Sequence, residues 1–266
     1  MKDQKWIDLS GKIVIVTGGA SGIGLKIAEN LYKNHAAVII CDLNESEAVK
    51  NISDCFISCD ITKKSSVEEM VKKVTEKYGK IHALVNNAGV NRPRLLVDFY
   101  KKNDKYEAKE EDFDFIVNVN QKGPFLCTQA VVRGMIDEKE GVIVNISSEA
   151  GVEGSVGQSI YSATKGALNS FTRSWAKELG KFNIRVVGIS PGINKRTGMN
   201  SDENYQALAY TRGLDPNNID EDYTGSIPLG RAGEHEELGD LVSYLISDHA
   251  SYITGTTLNI TGGKSR

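Results

Sequence analysis

Ile13-Val-Ile-Val-Thr-Gly-Gly-Ala-Ser-Gly-Ile-Gly24 decides how the rest of the chain is read. Ile13 to Val16 is an unbroken run of β-branched residues, as expected of a strand buried on both faces. Gly18, Gly22 and Gly24 follow, and then Ile23, Ile27, Ala28 and Leu31 recur at helical spacing. A strand, a glycine turn and a helix in that order leave free N–H groups and the positive end of the helix dipole facing outward, where a pyrophosphate can approach. The spacing is G-x-x-x-G-x-G rather than the commoner G-x-G-x-x-G, and a glycine turn alone is weak evidence. Asp42 strengthens it. It ends a second apolar run, Ala37 to Ile40, and lies 18 residues beyond Gly24, where an acid suits the ribose 2′-hydroxyl of a dinucleotide. A carboxylate repels a 2′-phosphate, on a scale of ~4 kcal/mol per unit charge at ~4 Å and an effective dielectric of ~20. Neither Ala20, Ser21 nor Leu43 brings a compensating cation, so the pattern favours NAD over NADP.

Outward from this unit, strands and helices alternate. Phe56 to Ser58, Ala83 to Val85, Val142 to Ile146, Ile184 to Ile189 and Thr257 to Ile260 read as further strands. Helical stripes run through Val67, Met70, Val71, Val74 and Tyr78, through about 110–139, from Tyr161 to Lys181 and through about 234–247. The expectation is an α/β fold, a doubly wound parallel sheet of about seven strands with helices on both faces. No linker or repeat divides residues 1–266, so one domain is expected. Two polar segments at about 92–110 and 194–223 interrupt the rhythm at strand carboxyl ends, where open α/β sheets bind ligands.

Composition narrows the classes. The chain has 266 residues, 40% hydrophobic and 25% charged, which is globular rather than disordered. A net charge of -3 argues against nucleic acid or a membrane surface as partner. No apolar run nears the ~20 residues of a membrane span, and no signal peptide is visible. Cys41, Cys55, Cys59 and Cys127 form no C-x-x-C pair, and His35, His82, His235 and His249 stand alone. Reduced thiols, a cytoplasmic location and no metal are expected.

Tyr161-x-x-x-Lys165 puts two side chains on one helix face. A cation beside a phenol favours phenolate, and a tyrosine is otherwise a poor base at neutral pH. Ser148 follows the fifth strand at the same end of the sheet. Pro124 lies four residues beyond Asn120 and has no N–H, so the Asn120 carbonyl loses its helical partner and can hold a water.

Thr17-Gly-Gly-Ala-Ser-Gly-Ile-Gly24, Asn86-Asn-Ala-Gly89, Asn120, Ser148, Tyr161-Ser-Ala-Thr-Lys165 and Pro191-Gly192 occur in this order. Together they resemble the short-chain dehydrogenase/reductase family over nearly the whole chain from about residue 7. The resemblance implies a Rossmann-type fold, a nicotinamide cofactor and a catalytic tetrad of Asn120, Ser148, Tyr161 and Lys165. It implies cofactor contacts at Gly18, Ser21, Gly22, Ile23, Gly24, Asp42, Asp60, Ile61, Asn87, Ala88, Gly89, Tyr161, Lys165, Pro191, Gly192 and Ile193. In the family a Thr commonly stands five residues after the Pro of Pro-Gly. Here Thr197 stands six after Pro191, which leaves its nicotinamide contact open.

Segments such as Val90–Asp98, Asn118–Gly123 and Glu153–Ser159 resemble a branch of the family that oxidises a hexitol phosphate. For such a substrate, Arg94, Lys195 and Arg196 are candidate phosphate ligands, with Arg92, Lys101 and Lys102 nearby. Glu149 and Glu153 are candidate acceptors of polyol hydroxyls. Alternatives stay open: an unphosphorylated polyol, a 3-oxoacyl substrate, or a non-catalytic NAD sensor on the same fold. The resemblance also implies a homo-oligomer, a dimer or tetramer. Leu168, Phe171, Trp175 and Leu179 are read as core-facing.

Overall fold

A computed structural model of the protein describes residues 6–52, 55–196, 202–215 and 225–264. Thr197, much of the second polar segment and the last two residues lie outside the described residues. β1 (Ile13–Thr17), β2 (Ala37–Asp42), β3 (Cys55–Ser58), β4 (Ala83–Asn86), β5 (Gly141–Ile146), β6 (Ile184–Pro191) and β7 (Thr257–Ile260) form one sheet in the order β3-β2-β1-β4-β5-β6-β7. Every pairing is parallel. The strand order reverses between β1 and β4, the switch point where such sheets open a crevice for ligands. The expected fold is borne out.

The sheet is buried on both faces, which explains its continuous apolar strands. On one face α1 (Gly22–Lys33) and α8 (His235–Ile246) lie together, and Ile27, Leu31, Leu238 and Leu245 join Val14, Val38 and Val187. On the other face α2 (Lys64–Tyr78), α4 (Gly123–Glu138) and α6 (Ser159–Leu179) bring Met70, Met135 and Leu179 against Ile15, Leu84 and Ile143. The stripe on α6 divides. Leu168 and Leu179 are buried, while Phe171 and Trp175 are half-buried and stack with ring centroids 4.6 Å apart.

Buried polar groups tie the layers in register. Asn86 Nδ2 donates to Asn145 Oδ1 and to Thr128 Oγ1, each at 2.9 Å, and Asn145 Nδ2 donates to Thr172 Oγ1 at 2.9 Å. The helical region after β4 is not continuous. α3 (Glu110–Val117) passes into a π turn at Asn118–Lys122, where Gly123 N–H reaches the carbonyl of Asn118, and α4 then begins with Pro124 in its first turn. The break expected near Pro124 is therefore present. Two short elements do not follow from apolar periodicity: α5 (Ala150–Glu153) and α7 (Asp202–Arg212). The buried side of α7 is Ala207, Ala209 and Thr211, too small to make a stripe.

Candidate active site

The carboxyl ends of β1, β4, β5 and β6 carry the motif residues to one edge of the sheet. The turn after β1 is built around two close approaches. Gly18 has φ +65°, and a Cβ there would lie 2.7 Å from Ala88 Cα. A Cβ on Gly24 would collide with the carbonyl oxygen of Gly18 and with Asn87 Nδ2. Side chains therefore cannot fill this turn, and its backbone stays open in front of the α1 N-terminus. Asn87 fastens the two segments, since its Nδ2 donates to the carbonyls of Thr17 and Gly18, both at 3.0 Å. Thr17 Oγ1 accepts from the N–H groups of Asn87 and Ala88 at 3.1 and 3.2 Å.

Asp42 is half-buried at the end of β2 and aimed at the glycine turn. Its Oδ2 accepts from Ala20 N–H at 3.0 Å and its Oδ1 from Leu43 N–H at 2.7 Å. A carboxylate has about four acceptor positions, so lone pairs are left for a ribose diol. Among the described residues no cation pairs with Asp42. Asp60 accepts from Thr62 Oγ1 at 2.6 Å and pairs with Lys63 at 3.1 Å, contacts that hold its pKa below the usual range. Ile61 is buried against Gly123 at the head of α4.

The four tetrad candidates converge. Asn120 is wholly buried at the π turn. Its Oδ1 accepts from Val90 N–H and its Nδ2 donates to Val90 O, each at 2.8 Å. This reciprocal pair clamps the loop after β4 to the π turn between α3 and α4. Lys165 is buried too. Its Nζ donates to the Ile146 carbonyl at 2.8 Å, while Ser147 Oγ donates to the Lys165 carbonyl at 2.8 Å. A Cβ on Gly89 would meet both Asn120 Oδ1 and Lys165 Nζ at 3.4 Å, so glycine there lets the two groups share one floor. Lys165 Nζ lies 5.6 Å from the Tyr161 ring centre.

The electrostatics differ from expectation. Desolvation raises the Tyr161 pKa above the ordinary phenol range, and the neighbouring Ser148 hydroxyl opposes it only in part. Desolvation also pulls Lys165 down to about 8. The ammonium is drawn to a backbone carbonyl on β5, so burial outweighs the cation's pull on the phenol.

The substrate-side residues are spread around the rim. Arg94 lies 3.6 Å from Asp112 and donates to the Pro93 carbonyl at 2.8 Å. Arg92 reaches the same Asp112 at 3.3 Å. Lys195 is exposed and paired with Glu234 at 2.6 Å, and Arg196 lies over the Tyr205 ring at 4.3 Å. Glu153 is exposed on α5. Glu149 is half-buried and paired with Lys264, with its other oxygen buried beside Gly192 and without a hydrogen-bond partner among the described residues. Sequence reasoning gave no individual role to Lys264, Tyr210 or Arg212, although the last two fall in the second polar segment, expected near the ligand end of the sheet. Lys264 follows β7 near the end of the described residues. The other two belong to the helix that apolar periodicity does not reveal.

The parallel sheet carries its glycine turn and the Tyr161–Lys165 pair at the same edge, and the short chain dehydrogenase family model matches residues 12–207. The chain belongs to that family and is an oxidoreductase. It is 50% identical over 263 residues to the sorbitol-6-phosphate 2-dehydrogenase of Klebsiella pneumoniae, covering 98% of each chain. It is 38% identical to the 3-oxoacyl-[acyl-carrier-protein] reductase of Thermotoga maritima, over 96% of this chain and 98% of the relative. Among solved structures, NAD+-bound xylitol dehydrogenase superposes with a TM-score of 0.86 at 31% identity, covering 96% of this chain and 99% of that one. The NADH complex of a 3-ketoacyl-(acyl-carrier-protein) reductase from Brucella melitensis gives 0.83 at 29%, covering 97% and 100%. Among the described residues no helix is long and apolar enough to cross a membrane, and no metal-binding cluster is found.

Proposed function

We propose that this chain is an NAD-dependent dehydrogenase that interconverts D-sorbitol 6-phosphate and D-fructose 6-phosphate. The observation that carries the substrate is the 50% identity over nearly full length to the Klebsiella pneumoniae enzyme, against 38% for the first 3-oxoacyl reductase. The NADH and NAD+ complexes among its structural neighbours support the cofactor. So do the open glycine turn and Asp42, a carboxylate with spare acceptor positions and no paired cation among the described residues.

Gly18, Ser21, Gly22, Ile23 and Gly24 would receive the pyrophosphate end, and Asp42 the adenosine ribose. Asp60 and Ile61 would receive the adenine, with Asn87, Ala88 and Gly89 beneath the centre. Tyr161, Lys165, Pro191, Gly192 and Ile193 would receive the nicotinamide half. When bound, NAD supplies the hydride acceptor. Tyr161 takes the proton of the C2 hydroxyl as the alcohol is oxidised and returns it on reduction. Ser148, whose hydroxyl acts on the Tyr161 phenol, donates to the developing carbonyl oxygen. Lys165 holds a ribose hydroxyl and supplies positive charge, and Asn120 fixes the π turn whose carbonyl anchors a proton-relay water. Glu149 and Glu153 accept hydroxyls of the polyol, and Arg94, Lys195 and Arg196 make the rim positive.

The enzyme works as a single domain within a dimer or tetramer in the cytoplasm. Its four free cysteines suit a reducing compartment, and light scattering tests the assembly. The function is tested by initial rates on D-sorbitol 6-phosphate, D-sorbitol, xylitol and a 3-oxoacyl thioester, with each nicotinamide cofactor. The highest kcat/KM is expected for D-sorbitol 6-phosphate with NAD. A 3-oxoacyl thioester reduced faster with NADPH would overturn the reading, as would nucleotide binding without turnover on any substrate.

A further inference from the structure

We propose that Arg212 directly binds the substrate's phosphate, at a rim formed where α7 meets the loop between α5 and α6. The inference rests on the hexitol-phosphate reading and adds to it a ligand that neither the sequence motifs nor the family resemblance single out.

The first argument is availability. Five other cations around this edge are committed to carboxylates, Arg196 lies over the Tyr205 ring, and Lys101 and Lys102 have no ion pair among the described residues. Arg92 and Arg94 share Asp112, Lys105 pairs with Glu203 at 2.9 Å, Lys195 pairs with Glu234, and Lys264 pairs with Glu149. A cation already paired must give up that pair before it serves a phosphate. Among the described residues Arg212 has no carboxylate within ion-pair distance. Its Nη2 lies 3.3 Å from Ser155 Oγ, which engages one of five guanidinium donors. Two parallel donors are what a phosphate takes from arginine.

Placement is the second argument. Thr211 lies on Gly157, so closely that any Cβ on Gly157 would collide with it. Gly157 has φ +74°, and its carbonyl accepts Arg94 N–H at 2.7 Å. Ser155 Oγ is fixed by donation to Gln158 Oε1 at 2.7 Å. Arg212 is thus pinned over the Ser155–Gln158 loop, which runs from α5 into the helix that carries Tyr161. Glu149, next in sequence to Ser148, acts electrostatically on Arg212, so the rim shares a wall with the Ser148 end of the site. Lys264 offsets the charge of Glu149, which leaves the wall positive toward a dianion.

The test uses the full-length enzyme with saturating NAD. The kcat/KM ratio for D-sorbitol 6-phosphate over D-sorbitol is measured for the native enzyme, Arg212→Gln and Arg212→Lys, with inorganic phosphate as a competitive inhibitor for an independent readout. Arg212→Gln is expected to lower the ratio at least about tenfold and to raise the phosphate inhibition constant by a similar factor. Arg212→Lys should recover part of both, because a point charge replaces a fork. An unchanged ratio and inhibition constant in Arg212→Gln would overturn the assignment while leaving the hexitol-phosphate reading intact. A native enzyme that does not prefer the phosphorylated substrate would overturn that reading, and the assignment with it.

Discussion

The hydroxyl of Tyr210 lies 2.8 and 2.9 Å from the two carboxylate oxygens of Asp98. Asp98 sits in the first polar segment and Tyr210 on α7 in the second, so the two insertions are latched to each other. The same carboxylate also accepts the N–H groups of Lys102 and Asn103 at 3.2 and 3.1 Å. Tyr106 and Tyr210 add a ring contact at 4.5 Å.

Removing the latch should loosen the substrate wall without touching the chemistry. Tyr210→Phe keeps the ring and loses the hydroxyl. KM for the polyol phosphate is expected to rise about three- to tenfold, the scale of one ordinary hydrogen bond, while kcat and the Kd for NAD change less than about twofold. Steady-state kinetics and calorimetry separate the two effects, and a drop in kcat with KM unchanged would contradict the latch.

Tyr161→Phe should cut turnover by about 10²–10⁴-fold, the range for general acid–base catalysis, and spare NAD binding. Alcohol oxidation needs the phenolate, and desolvation holds the Tyr161 pKa above its ordinary value. Oxidation by the native enzyme should therefore accelerate as pH rises from about 6 to 8, because the scarce phenolate grows with pH. Carbonyl reduction needs the phenol and should stay nearly flat over that interval. A variant that keeps most of its rate would remove the proton role.

Lys165 makes a prediction about stability. Its folded pKa is about 8, pulled by burial below the ordinary lysine value of 10.5. At neutral pH a charge is being held in a site that disfavours it, and between about 8 and 10.5 the unfolded chain binds more protons. The sign of the linkage is then that this residue's penalty is full below about pH 8 and fades as pH rises toward 10.5. Lys165→Met should stabilise the cofactor-free protein by about 1–2 kcal/mol at pH 7, with a smaller gain at pH 9.5, and should abolish activity. Urea unfolding at the two pH values reads this directly.

Asp42→Ala should relax cofactor choice. The carboxylate that suits a ribose diol also repels a 2′-phosphate, and its loss should weaken NAD by about tenfold or more while NADP gains. The NAD/NADP ratio of kcat/KM is the measurement. An unaltered ratio would show that another group sets the preference.

Much of the fold was legible because buried parallel strands write themselves as apolar runs. Val14, Ile39, Leu84, Ile143 and Val187 are all fully buried, and each lies in a run read as a strand. The candidate tetrad was legible because its members are polar residues at strand ends and on one helix face. What escaped lacks an apolar period. α7 buries Ala207, Ala209 and Thr211, so its helix and its cation went unseen. The partners of Arg92 and Arg94 also escaped, since Asp112 lies on a different element and nothing local links it to them. The direction of the Tyr161 shift was missed because spacing brings Lys165 near the phenol but does not reveal that Nζ turns to the Ile146 carbonyl.

Lys165 is held at both ends: its ammonium by Ile146 and its own carbonyl by Ser147. A displacement of α6 along β5 therefore breaks two contacts at once, and neither contact involves the polar insertions. The two contacts that anchor Lys165 thus lie on β5 and its end, apart from the residues of the two insertions. A substitution confined to the insertions leaves both Lys165 contacts in place, so the anchor of the lysine is retained while the mouth is varied.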